Sequence, residues 1–203
     1  MKNVAIFIYD GVEILDFGGP GEVFAATRNG DEHAFNVYTV AADPEPILSQ
    51  GFITITPQYT IAACPPPDII VLPGGDQRQS AADPRVIGWI QGASEQAEVV
   101  MSVCTGAMLL SRAGLLDGKE ATTWYGALER LREATPKATI HANTRFVDNG
   151  QIVTTAGVSA GIDGALHVVA RLFGMEAALR VARYMEYDKW VPENGLIVEQ
   201  SRG

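Results

Sequence analysis

The chain has 203 residues, of which 47% are hydrophobic and 19% charged, and a formal net charge of −9. Its size suits a single domain with a full core, and its acidity argues against nucleic acid or an anionic membrane as main partner. Two cysteines, Cys64 and Cys104, are too few for a disulfide framework and fit a reduced, cytoplasmic setting; no signal peptide, spanning segment or repeat is visible.

In chain order, Val4 to Tyr9 reads as a buried strand, and Asp10-Gly11 as a turn. Pro20 suits the first turn of a helix continuing through Glu22 to Thr27. Phe35 to Val40 is a second strand, Ile53 to Thr56 a short extended excursion, and Asp68 to Leu72 a third core strand closed by Pro73-Gly74-Gly75. Asp83-Pro84 opens a helix through Ile87, Ile90 and Ala93. Val99 to Val103 is a short apolar run, as expected of a strand buried on both faces, and Ala107 to Leu110 begins a helix ending near Gly114. Ala121 to Thr123 is a further short strand, followed by a helix carrying Leu128 and Leu131. Asn149-Gly150, between Arg145–Asp148 and Gln151–Thr155, is a strong hairpin signal. Ile162, Leu166, Val169 and Phe173 line one face of a helix ended by Gly174, and a last helix spans about Glu176 to Glu186. Strands alternating with helices predict an α/β fold with a mainly parallel sheet covered on both faces. Sites in such folds lie beyond the carboxyl ends of the strands, which groups the loop after Tyr9, Gly74-Gly75 and the Cys104 turn.

Cys104 stands between a strand and a helix, the setting of a nucleophile elbow, although Ser102 replaces the first glycine of that pattern. A helix N-terminus favours thiolate, so the elbow predicts that Cys104 alkylates faster than Cys64. The alternative is a buried cysteine acting as a small hydrophobe. Gly74 and Gly75 are either an ordinary turn or, with the Thr105 N–H, a cradle for developing negative charge. Asp16, between Leu15 and Phe17, is either a cap for the helix near Pro20 or a buried acid with a raised pKa facing the thiol. His33, His141 and His167 do not neighbour Cys104 in sequence, and their spacing does not resemble a zinc site.

Taken together, Ile14-Leu15-Asp16-Phe17-Gly18-Gly19-Pro20, Val71-Leu72-Pro73-Gly74-Gly75, Val103-Cys104-Thr105-Gly106-Ala107, Ala113 to Lys119, Ala121-Thr122-Thr123 and Thr155 to Asp163 resemble, in order, the DJ-1/PfpI superfamily of the class I glutamine amidotransferase-like fold. Within it the chain looks most like the isocyanide hydratase branch and the amidase-like domains of AraC-type regulators. The resemblance implies a flavodoxin-like three-layer sandwich over residues 1–203, no cofactor or metal, a small-molecule substrate and a homodimer. It implies that Cys104 is the nucleophile and Asp16 the acid facing it, with Thr105 following the nucleophile. Gly74, Gly75, Gly157 and Val158 are then expected to bind substrate. The implied reaction is addition of water to an isocyanide through a Cys104 thioimidate. Glyoxalase-like, deglycase-like and amidase-like activities, and a non-catalytic sensor, are the alternatives. Many relatives have His directly after the Thr-Thr pair, whereas this chain has Trp124-Tyr125, which implies a bulkier and less polar wall. The protease-type relatives carry His directly after the cysteine; here that residue is Thr105, which disfavours a Cys–His protease. The stretch after Glu186 is too short for the regulators' DNA-binding helices.

Overall fold

Short apolar runs build the centre of the molecule, an eight-stranded sheet in a computed structural model that describes residues 1–199. Its strands are β1 (Lys2–Phe7), β2 (Phe35–Ala41), β3 (Tyr59–Thr60), β4 (Ile69–Leu72), β5 (Val99–Ser102), β6 (Phe146–Asp148), β7 (Ile152–Thr155) and β8 (Gly195–Ile197). They lie across the sheet in the order β8-β6-β7-β5-β4-β1-β2-β3. From β7 to β3 every pairing is parallel; β6 runs antiparallel to β7, and β8 lies parallel to β6. Every residue of β4, β5 and β7 is buried, as apolar strands covered on both faces must be. Each Leu or Ile buried in full contributes about 1.5–3 kcal/mol.

The helices are α1 (Ile14–Ala26), α2 (Arg78–Ala82), α3 (Pro84–Ser94), α4 (Ala107–Arg112), α5 (Leu128–Ala134), α6 (Ala160–Phe173) and α7 (Met175–Tyr184). They flank the sheet in two groups: α1, α6 and α7 pack on one another, and α2 to α5 form the second set. Asp83 caps α3 by accepting the Arg85 N–H at 2.8 Å, with Pro84 in the first turn. The hairpin forms as expected, Phe146 opposite Thr155 and Asp148 opposite Val153, with Gly150 at φ 86°.

Three expectations need correction. Helix α1 begins at Ile14, and Pro20 lies inside it rather than in its first turn. Asp16 is therefore an early helical residue, and its side chain bonds to Gly74 instead of capping its own helix. Ala121-Thr122-Thr123 is not a strand throughout: only Glu120–Ala121 pairs, in parallel with Thr139–Ile140, and the two threonines bond elsewhere. The tail adds β8 at the sheet edge, where a run of only three residues, Gly195-Leu196-Ile197, is too short to give a periodic signal.

No helix among the described residues is long and apolar enough to cross a membrane.

Candidate active site

The site is built where β1, β4 and β5 end. Val103 still belongs to the sheet edge, donating its N–H to Leu72 O at 3.0 Å. The next residue, Cys104, turns the chain at φ 55°. A non-glycine residue in that region is strained by about 1–3 kcal/mol and persists only where its surroundings hold it. Here the Cys104 N–H donates to Ala156 O at 3.0 Å, and the Thr123 hydroxyl donates to Cys104 O at 2.6 Å. Gly106 must be glycine, because a Cβ there would stand 1.9 Å from Leu72 O. Cys104–Gly106 form a 3-10 turn that leads into the six-residue α4.

The loop after β4 locks onto the loop after β1. Tyr9 Oη donates to Pro73 O at 2.9 Å, and the Glu13 N–H donates to Gly74 O at 2.9 Å. Gly75, at φ 127°, bridges to Val12. The three loops grouped from the sequence thus meet. The N–H groups of Gly74 and Gly75 are engaged, however. Gly74 donates to Asp16 Oδ2 at 2.8 Å, and Gly75 to Thr105 Oγ1 at 3.1 Å. They hold side chains in place instead of standing open as a cradle.

Asp16 is fully buried, and its Oδ1 has no hydrogen-bond partner among the described residues. Burial pushes its carboxyl up to about 7; the Gly74 N–H opposes this and the Glu13 charge adds to it. The carboxyl interacts directly with the Cys104 thiol. Burial, and then the Asp16 charge, push that thiol up to about 12, although the N–H groups of Thr105 and Val158 pull it down. This overturns the expectation of a thiol lowered by a helix N-terminus. Helix α4 is short, and burial together with the Asp16 charge outweighs its N-terminus. The Cys64 thiol is also raised, by burial, so the pKa shifts give no basis for faster alkylation of Cys104 than of Cys64.

The donors aimed at the sulfur are thus Thr105 and Val158, the latter at φ 49°. Gly157, next to Val158, lies under Trp124: a Cβ at Gly157 would approach Trp124 Cδ1 to 2.4 Å. Trp124 is the expected bulky wall, and its ring leans on Tyr125 at 5.0 Å between centroids.

Two contributors escaped the sequence reading. Gln77 is buried and clamps Thr105, donating from Nε2 to its carbonyl at 2.6 Å and accepting its hydroxyl on Oε1 at 3.1 Å. No sequence signal marks it. Thr123 was visible as part of a motif, without its role in holding the elbow. The histidines lie elsewhere: His33 on Ala25 O, His141 on Glu120, His167 on Asp148. No group of three or more His, Cys, Asp or Glu is gathered for a metal among the described residues.

A mainly parallel α/β sheet carrying a cysteine on a strained strand-to-helix turn defines the class of protein. The chain belongs to the DJ-1/PfpI family, which it matches over residues 2–171. It is 32% identical over 186 residues to the isonitrile hydratase of Pseudomonas putida, covering 91% of this chain and 78% of that protein. It is also 26% identical over 189 residues to the HTH-type transcriptional regulator GbdR of Pseudomonas aeruginosa strain UCBPP-PA14, covering 93% of this chain but 51% of the regulator. A solved ThiJ/PfpI family protein from Pseudomonas syringae superimposes with a TM-score of 0.83 at 29% identity, over 94% of this chain and 77% of that one.

Proposed function

We propose that this chain is a cofactor-independent cysteine enzyme that adds water to an isocyanide, giving an N-formamide. The observation that carries the reading is a fully buried carboxyl, pushed up to about 7, set against a cysteine held at φ 55°. Similarity to an isonitrile hydratase supports the choice of reaction. Between the two titrations the Asp16–Cys104 pair carries one proton and one negative charge.

In that state the thiol holds the proton, and as the Cys104 sulfur bonds to the terminal isocyanide carbon the thiol proton passes by way of the Asp16 carboxylate to that carbon. The product is a thioimidate, R–N=CH–S–Cys104. Asp16, again a carboxylate, takes a proton from water as the water oxygen adds to the same carbon, and hands that proton to nitrogen. The tetrahedral adduct collapses: the C–S bond breaks, its electron pair returns to sulfur, and the hydroxyl proton goes to Asp16. The formamide leaves, and the pair regains its single proton. The N–H groups of Thr105 and Val158 stabilise charge on sulfur when the C–S bond forms and breaks. Gly74 orients Asp16, while Gly75 and Gln77 orient Thr105.

Hydration of an aromatic isocyanide, followed by absorbance, tests the proposal. Turnover that disappears in Cys104→Ala is expected; absence of turnover with several isocyanides in folded wild-type protein overturns it. The glyoxalase-like alternative wants Glu opposite the thiol, but Glu13 is bonded to Gln50 at 2.6 Å and Glu22 lines a separate cavity on α1 and α7. Methylglyoxal loss should therefore match a Cys104→Ser control. Similarity to a regulator keeps one other reading, a sensor that binds without turnover. A tight ligand recovered unchanged would favour it. The proposal includes a homodimer in the cytoplasm; a monomer in sedimentation at micromolar concentration would remove the dimer. Phe24 is fully buried and Phe17 packs against the core, so neither offers an apolar face for that dimer, whereas Val191 near the tail is exposed.

A further inference from the structure

One cavity adjoins the elbow with a charge opposite to that of the whole chain. It encloses about 600 Å³ and runs from Gly75 and Thr105 to Met108 and Trp124, with Arg78, Arg112 and Arg130 around it. Asp76 is the sole acid in its lining, and it is paired with Arg78 at 2.6 Å. Arg112 and Arg130 make no ion pair among the described residues. The side chains fall into two zones. Met108 and Trp124 give an apolar body, while the arginines, from α2, α4 and α5, give a cationic rim. Helical spacing puts Met108 and Arg112 on one face of α4. The volume is that of a site for a small organic ligand, and guanidinium groups match the planar fork of a carboxylate. In a chain of net charge −9, arginines without a carboxylate partner, in a cavity that meets the elbow at Thr105, are a local reversal of charge and attract anions to this mouth; among the described residues Arg112 Nε donates only to Ala81 O, at 3.4 Å.

We infer that the cavity selects a substrate with a flat apolar body and a terminal carboxylate: the reacting end reaches Cys104 past Thr105, and the carboxylate meets Arg112 and Arg130. The inference rests on the hydratase reading for the reacting group, and on the cavity alone for the anion.

Two measurements separate the two. First, kcat/KM is compared for 4-isocyanobenzoate and its methyl ester. The acid is preferred, and the preference falls by roughly fivefold for each of Arg112→Met and Arg130→Met, chiefly through KM, and shrinks with added salt. Arg180→Met, at the cavity between α1 and α7, serves as the control for general electrostatics and keeps the preference. Second, binding of 4-methylbenzoate, which cannot be hydrated, is followed by titration calorimetry against the same variants. Binding that weakens with either cavity arginine but not with Arg180→Met supports the anion site even if no isocyanide turns over; in that case the hydratase reading fails alone. Equal use of acid and ester, or a preference unchanged in both cavity variants, overturns the inference while leaving hydration standing. Exposed arginines tolerate methionine, and circular dichroism confirms the fold of each variant.

Discussion

Two aspartates buried almost equally have opposite chemistry. Asp16 is 0% exposed and Asp148 3% exposed. At Asp16 burial dominates and the carboxyl rises to about 7. At Asp148 burial acts in the same direction but is outweighed. His167 Nε2 lies 2.7 Å from Oδ2, Arg171 Nη1 donates to both oxygens at 2.8 Å, and the Gly150 N–H donates at 2.7 Å. Those partners hold the Asp148 carboxyl below its ordinary range. Burial alone therefore does not make a reactive acid. An acid becomes reactive when it is buried with one oxygen unmatched, and it becomes a structural anchor when both are met.

Exchanging the two roles by mutation breaks the comparison most severely at the elbow. Asp16→Asn should keep the fold and lower isocyanide hydration by roughly 10²–10⁴-fold, since the proton carrier is gone. Full activity in that variant would leave Asp16 without a chemical role. Asp148→Asn should instead cost about 3–5 kcal/mol in urea unfolding, because Arg171 and His167 lose a buried counter-charge.

The pH dependences sharpen the contrast because their signs differ. The Asp16 pKa is raised on folding, so its contribution to stability is full below about pH 4 and is lost as pH rises to about 7. At roughly 1.4 kcal/mol per unit, wild type loses up to about 4 kcal/mol over that window that Asp16→Asn does not lose. Asp148 is lowered, so its contribution is present above about pH 4 and is lost as pH falls through its folded value. Unfolding of both variants from pH 3 to 8 should show curves diverging from wild type in opposite directions. In the same window, kcat/KM should rise as pH passes about 7, where the pair reaches its one-proton state. The smallest effect expected is at Thr123. Thr123→Val removes the hydrogen bond to Cys104 O and should cost about 1 kcal/mol, with a loss of activity larger than that cost if the elbow relaxes.

Legibility in the sequence followed the range of the interaction. The β5 strand, the Cys104 turn, the Asn149-Gly150 hairpin and the Asp83-Pro84 helix start are written in adjacent residues, and each formed close to its expected place. The start of α1 was missed because Pro20 is a strong local signal, and tertiary packing extends the helix six residues upstream of it. The direction of the thiol shift was missed because a helix terminus is local, whereas the burial that outweighs it, and the Asp16 charge that adds to it from 88 residues away in the chain, come from tertiary packing. The committed use of the Gly74 and Gly75 N–H groups, the clamp by Gln77 and the Asp148 cluster also depend on contacts between distant segments. Residue types alone do not reveal them.

The two ends of the sheet are made of very short strands. One edge is β3, two residues long, and the other is β8, three residues long. Long unpaired edges are templates on which other chains aggregate. Here each edge strand is brief, and the strands buried on both faces, β4, β5 and β7, lie inside the sheet. At its β6 edge, the tail segment from Gly195 to Ile197 covers backbone that would otherwise be open. That segment thus closes part of a sheet edge at a distance from the elbow.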